Sequence, residues 1–327
     1  MKRTARQAGG ISLLLALSFV VANPNAFAGN DKTLEALERV SFGPGAVKNA
    51  PLKDILTSRP GEPSTVGNLK VTLPQNSGQK VRAQSDMTEV SVSLPFSEAA
   101  IPGKQLKPGV VAYDNGNGST TVPVVKNDGT VQISTVIEDQ TAPSRYAYDF
   151  ALPENATIVE VEGGLFFQTS DGGVAGGVAP AWAVDANGAA VPTHYEVDGS
   201  TITQVVEHSS EVVYPVVADP LWGTDLISSV GWISRDGQVS LSIYPTGWNQ
   251  FNFAFGPAII ESWNETIAKT PYQYVNGRWY GQYAANTTQM RWQHDCHQIG
   301  APYKTPWNIE PWRWRGTYQD YVWNLCN

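Results

Sequence analysis

Between residues 86 and 222 the chain is written in short alternating runs, each stopped by a glycine-containing turn. TEVSVSLP (88–95), TVQISTVI (130–137), ATIVEVEG (156–163), THYEVDG (193–199) and STITQVVEH (200–208) alternate apolar and polar side chains. That period of two sends successive side chains to opposite faces of a strand. DNGNG, NDG, DGG, ANG and DGS lie between the runs, and their Asn-Gly and Asp-Gly pairs supply the positive φ that tight hairpins need. Turn signals recurring about every 8–12 residues predict an all-β middle domain, a small sandwich or open barrel, over residues 86–222. The 30 glycines and 22 prolines of the 327-residue chain exclude a helical bundle or coiled coil. Its 42% hydrophobic content excludes a wholly disordered chain.

The N-terminus reads as a secretory signal peptide over residues 1–28. Lys2, Arg3 and Arg6 form its basic start, residues 11–22 its apolar stretch, and AFA at 26–28 before Gly29 its cleavage pattern. Twelve apolar residues reach about 18 Å as a helix, short of the roughly 30 Å of a bilayer core, so cleavage and a secreted, extracellular product are expected, with no stable membrane insertion afterwards. Residues 29–85 are polar and rich in proline and glycine. They read as an arm or linker carrying one two-turn helical stretch, LEALERV at 34–40.

Charge and aromatic residues divide the remainder. Residues 29–222 hold 23 acids and 12 bases, whereas residues 223–327 hold seven of each. A net charge of −8 and a pI near 5.0 exclude a nucleic-acid partner. Nine of the eleven tryptophans fall after residue 222, which marks a differently built C-terminal domain over 223–327. The expected elements are a hairpin (VGWIS, RDG, QVSLSIYP), a helix over 258–269 with Ile259, Trp263 and Ile267 on one stripe, and a helix or strand over 287–299. This small α+β domain holds both cysteines, Cys296 and Cys326. In an exported chain they are expected to form a disulfide, the alternative being two buried thiols.

QHDCHQ at 293–298, WNIEPWR at 307–313 and the terminal CN at 326–327 resemble the domain of unknown function 2599. That domain ends secreted proteins of high-GC Gram-positive bacteria. YPVVADPLW at 214–222 resembles the end of the β-rich segment that often precedes it. The resemblance implies export and a cysteine pair, and no activity.

Two segments carry candidate chemistry. In WNIEPWR, Pro311 biases Glu310 toward extended backbone, with Trp307 and Ile309 on one side and Asn308, Glu310 and Trp312 on the other. As a binding groove, Trp307 and Trp312 stack on sugar rings while Asn308, Glu310 and Arg313 take hydroxyls. As a structural strap, Glu310 merely pairs with Arg313. HDCH puts His294 and His297 at i, i+3, but no HExxH occurs and a third ligand would have to be an acid such as Glu310, Glu261 or Asp295, so neither metal nor cofactor is expected. Glu261 and Glu265, at i, i+4, have a separation compatible with a retaining-glycosidase pair, but such a pair needs one acid in an apolar pocket and helix-surface acids are usually solvated. No GxSxG elbow and no P-loop occurs. The leading expectation is a non-enzymatic exported binding protein whose partner is a cell-envelope glycan or a surface protein. The alternatives are an envelope glycan hydrolase using Glu310 with His297 or Glu261, and a secreted antibacterial toxin acting through the C-terminal domain.

Overall fold

The structure, a computed structural model, describes residues 24–43, 47, 50–85, 88–251 and 255–326. The first part of the chain runs α1 (Pro24–Phe42), β1 (Pro63–Val66), β2 (Leu69–Thr72), β3 (Val81–Gln84), β4 (Glu89–Val92), β5 (Lys104–Lys107), β6 (Val110–Asp114), β7 (Ser119–Val125), β8 (Val131–Ile137) and β9 (Arg145–Ala151). It continues through β10 (Thr157–Val161), β11 (Gly164–Gln168), β12 (Val174–Val178), β13 (Ala183–Val184), β14 (Thr193–Asp198), β15 (Thr201–Val206), β16 (Val216–Ala218) and β17 (Leu221–Gly223). The C-terminal part is β18 (Ile227–Arg235), β19 (Gln238–Pro245), α2 (Gly256–Lys269), β20 (Gln273–Val275), β21 (Arg278–Tyr280), α3 (Gln282–Ala285), α4 (Thr288–Gly300), β22 (Trp307–Ile309) and α5 (Tyr318–Trp323).

Two antiparallel sheets form the β-rich body. One has seven strands in the order β1-β2-β3-β4-β9-β15-β14. The other follows β10-β11-β12-β17-β8-β7-β6-β5, with β16 also on β8 and β13 on β16. Inward residues of both sheets, among them Val71, Val92, Tyr148 and Ile202 from the first and Tyr113, Ile133, Leu165 and Trp222 from the second, share one core. That is the sandwich arrangement. The predicted turns hold: Gly129 (φ +89°) closes β7–β8 and Gly199 (φ +58°) closes β14–β15.

Residues 29–85 depart from the arm reading. β1, β2 and β3 lie inside the seven-stranded sheet, and α1 packs Ala36, Leu37 and Val40 on the outer face of the other sheet, against Val122, Val124, Val136 and Val217. The reason is a strap over residues 50–56. The buried Lys126 Nζ donates to the carbonyls of Ala50, Pro51 and Lys53, and Leu56 N donates to Val125 O at 2.9 Å. With α1 in place, β7 and β8 are buried along their whole length. The polar face expected for TVQISTVI, Gln132 and Ser134, is therefore interior. The signal-peptide reading falls chiefly on residues 1–23, outside the described residues.

The small α+β unit follows. β18 and β19 form the expected hairpin around Asp236–Gly237, and β22 adds to β19. The ambiguous 287–299 segment is helix α4. Thr287 Oγ1 accepts from Met290 N at 3.3 Å, and Met290, Gln293, His294 and His297 make a buried stripe. The Cys296 and Cys326 Sγ atoms are 2.08 Å apart, a disulfide that pins the C-terminus to α4. Trp248 docks this unit on the body against Phe166 and Leu221. Gly177 and Gly223 lie flat under its indole, where a Cβ would stand 2.9 and 2.4 Å from ring atoms.

Candidate functional site

The sheet β18-β19-β22 has two unlike faces. Pairing puts Trp232 with Leu241, Leu241 with Ile309, and Ile243 with Trp307. All five are buried in the C-terminal core. The opposite face carries Ser240, Ser242 and Asn308, the last two directly paired. WNI alternates as the extended reading requires, but the strand ends at Ile309 and the chain turns at Pro311 and Trp312, where Arg313 N donates to Glu310 O at 3.2 Å. Trp307 belongs to the core, so its expected role as a stacking platform is corrected: it is fully buried, with His294 perpendicular to it at 5.5 Å and His297 parallel to it at 6.5 Å.

Glu310 emerges on the polar face yet is only 2% exposed. Its Oε1 accepts from Ser240 Oγ at 3.2 Å and lies 3.6 Å from Arg235 Nη1, and its Oε2 lies 3.1 Å from Arg313 Nε. Its main chain exchanges two hydrogen bonds with the Gln293 side chain, at 2.9 and 3.0 Å. Trp312 is 47% exposed, anchored by Nε1 donating to Val239 O at 2.9 Å. The Arg313 guanidinium lies 4.9 Å over its ring. Arg235, Gln238, Ser240, Glu310, Trp312 and Arg313 line a cavity of about 100 Å³. Two buried polar atoms of this cavity, Glu310 Oε2 and Arg313 Nε, have no hydrogen-bond partner although they lie 3.1 Å apart; Ser242 Oγ and Asn308 Oδ1, also without one, lie outside its lining. Glu310 and Arg313 attract as ions, but the pair is not aligned as a hydrogen bond. Buried polar groups are nearly always satisfied, so such a cluster is where a polar guest gains most.

The candidate acid–base partners are elsewhere. His297 is buried with its ring parallel to Trp307, and Nε2 donates to Asn308 O at 3.3 Å. Burial, helped by the Lys304 charge, pushes its imidazole down to about 4, so it is neutral and structural. Glu261 accepts from Asn264 and lines a separate cleft of about 500 Å³ between α2 and the body. Glu265 lines the same cleft, but its carboxylate is fully engaged. Its carboxylate accepts from Leu226 N and Ile227 N at 2.9–3.0 Å and meets Lys269 Nζ at 3.3 Å. Burial, with Asp225 adding, raises that carboxyl. Glu310, His297 and Glu261 are thus not assembled into one site.

One constellation had no residue-level signal in the sequence. Ser262 Oγ lies 3.0 Å from His294 Nε2, and His294 Nδ1 lies 3.0 Å from Asp295 Oδ1. The order of atoms is that of a nucleophile relay, but Ser262 and His294 are fully buried, so no substrate carbonyl reaches the hydroxyl. Asn249 Nδ2 donates to Ser262 Oγ at 3.3 Å, which makes the chain a structural tie between α2 and α4. The available hint is the spacing of Ala258, Ser262 and Thr266, small buried residues four apart on α2 that let α4 approach.

Fold and site together describe a β-sandwich protein with a small, disulfide-closed α+β unit bearing a polar pocket. The model of a family described as protein of unknown function (DUF2599) matches residues 227–327, so that unit, from β18 onward, is similar to this family. No curated protein matches the chain.

Proposed function

We propose that this is an exported protein that binds its ligand without transforming it, and that the ligand is a hydroxyl-rich glycan of the cell envelope. Export is supported by the leader-like pattern of residues 1–28 and by a disulfide, which persists in oxidising compartments. The single observation that carries the binding reading is the unsatisfied polar cluster beside the half-exposed Trp312. Hydroxyl groups both donate and accept, so they suit a carboxylate and two guanidiniums at once. An indole face suits the C–H face of a sugar ring. Hydrolysis would need a second carboxyl or imidazole placed to exchange protons with the substrate; neither His297 nor Glu261 shares the Glu310 cavity, and the other carboxyl that lines it, Asp236, is a solvated turn side chain, 94% exposed.

Co-sedimentation tests this with two probes, insoluble peptidoglycan and the polysaccharide stripped from it. The wild type should be retained by one of them. Arg235→Ala combined with Trp312→Ala, both changes at half-exposed side chains, should reduce retention about tenfold or more. Absence of wild-type retention on either probe sinks the proposal, as does release of new reducing ends during incubation.

A further inference from the structure

The β20–β21 hairpin turns an aromatic face to solvent. Its two faces sort by register: Gln273 pairs with Tyr280, Tyr274 with Trp279, and Val275 with Arg278. Gln273 and Tyr280 point inward, Gln273 Oε1 accepting from Trp232 N at 3.0 Å and Tyr280 lying 5.2 Å from the Trp232 ring. The outward face holds Tyr272, Tyr274 and Trp279, which are 69, 58 and 49% exposed, with Tyr283 beside them at 61%. A solvated hairpin face is ordinarily polar. Here Tyr272 stacks on Trp279 at 4.9 Å and 5°, Tyr274 closes on the same indole at 5.3 Å, and Tyr283 Oη donates to Trp279 O at 2.6 Å.

Gly281 is explained by this arrangement. Its backbone is extended (φ −156°, ψ −163°), so any residue could adopt it. A Cβ there would stand 2.8 Å from the Tyr272 ring and 3.7 Å from Tyr283. Glycine at 281 therefore serves the ring cluster and not the chain path.

Resting on the glycan-binding reading above, we propose that this aromatic face is a second subsite for the same ligand, which is therefore a polysaccharide chain rather than a single sugar. Three observations select that occupant. The outward face contains only tyrosine and tryptophan, rings with an apolar body and a polar edge, and no aliphatic side chain of the kind a bilayer or an apolar protein core would want. It carries no charge: Arg278 sits over Tyr280, 5.7 Å from its centroid. It is also tethered to the turn that borders the Glu310 pocket. Asn276, in the β20–β21 turn, donates from Nδ2 to Gly237 O at 3.2 Å, and Gly237 is in the same tight turn as Arg235 and Asp236, which line the pocket.

The experiment compares binding of insoluble peptidoglycan with binding of its soluble disaccharide repeat. Tyr272→Ala with Trp279→Ala should weaken retention on the polymer about tenfold while leaving the disaccharide affinity unchanged; Arg235→Ala should weaken both. Tyr274→Ser, a single change at an exposed ring, serves as the second hairpin variant, and an unchanged thermal midpoint certifies the fold of each. Polymer binding at the wild-type level by both hairpin variants overturns the second subsite and leaves the pocket standing. Loss of disaccharide binding in the wild type removes the pocket itself.

Discussion

A carboxylate that leaves water must be met by donors, and Glu310 is met by Arg235, Arg313 and Ser240 while one oxygen still lacks a hydrogen bond. His297 follows the opposite course: it is kept neutral. Its imidazole is pushed down to about 4, whereas a free histidine takes its proton near 6.5. Between those pH values the unfolded chain binds the extra proton, so native stability is complete above about pH 6.5 and is lost as pH falls toward 4, by up to about 3 kcal/mol. His294, lowered by burial as well, acts in the same direction. Thermal unfolding from pH 7.5 to 4 of the wild type and of His297→Gln, which keeps a donor for Asn308 O, should show a shallower acid decline in the variant; parallel curves would refute the assignment. At this scale the sequence was readable by residue type but not by exposure. Trp307 and Trp312 are the same side chain five residues apart, and one is core while the other faces solvent.

Helices and strands were legible where a period and a cap coincided. The β18–β19 hairpin, α2 and the extended WNI of β22 lie where alternation, the 3.6-residue stripe and Pro311 put them. The helical stretch LEALERV falls within α1, but the strap was not legible, because it is held by one lysine 70-odd residues away. Lys126 offers its ammonium to three strap carbonyls at once, those of Ala50, Pro51 and Lys53. Lys126→Met keeps the length of the side chain and removes the donor. It should cost about 2–4 kcal/mol, since charge-assisted bonds are worth about 1.5–3 each and orphaned carbonyls add a penalty. Urea unfolding measures the loss, and limited proteolysis should cut residues 50–56 sooner than in the wild type. Unchanged midpoint and protection would mean that α1 packing alone orders the strap.

The molecule as a whole is closed at two places. The Trp248 cluster with Phe166, Leu221 and Ala258 joins the small unit to the sandwich, and Cys296–Cys326 holds the chain end on α4. The cystine spans 30 residues, so the chain-entropy model assigns it about 3–4 kcal/mol. Cys296→Ser with Cys326→Ser should lower the unfolding free energy of the C-terminal unit by that amount, read from denaturant unfolding followed by the near-ultraviolet signal of its tryptophans. A variant as stable as the wild type would show that α5 docks through Tyr321 without the bond.

The amino-acid order alone determined the β-rich body, the change of architecture near residue 223 and the pairing of the only two cysteines. These are local periodicity, composition and count, and they survive without knowledge of neighbours. Tertiary structure decided which indoles are core, that the polar N-terminal stretch is part of the sandwich, and that Glu310 parts company with His297 and Glu261. Each of those depends on what lies across a sheet or beneath a helix, where burial and partner geometry, rather than residue type, set the free energy of a side chain.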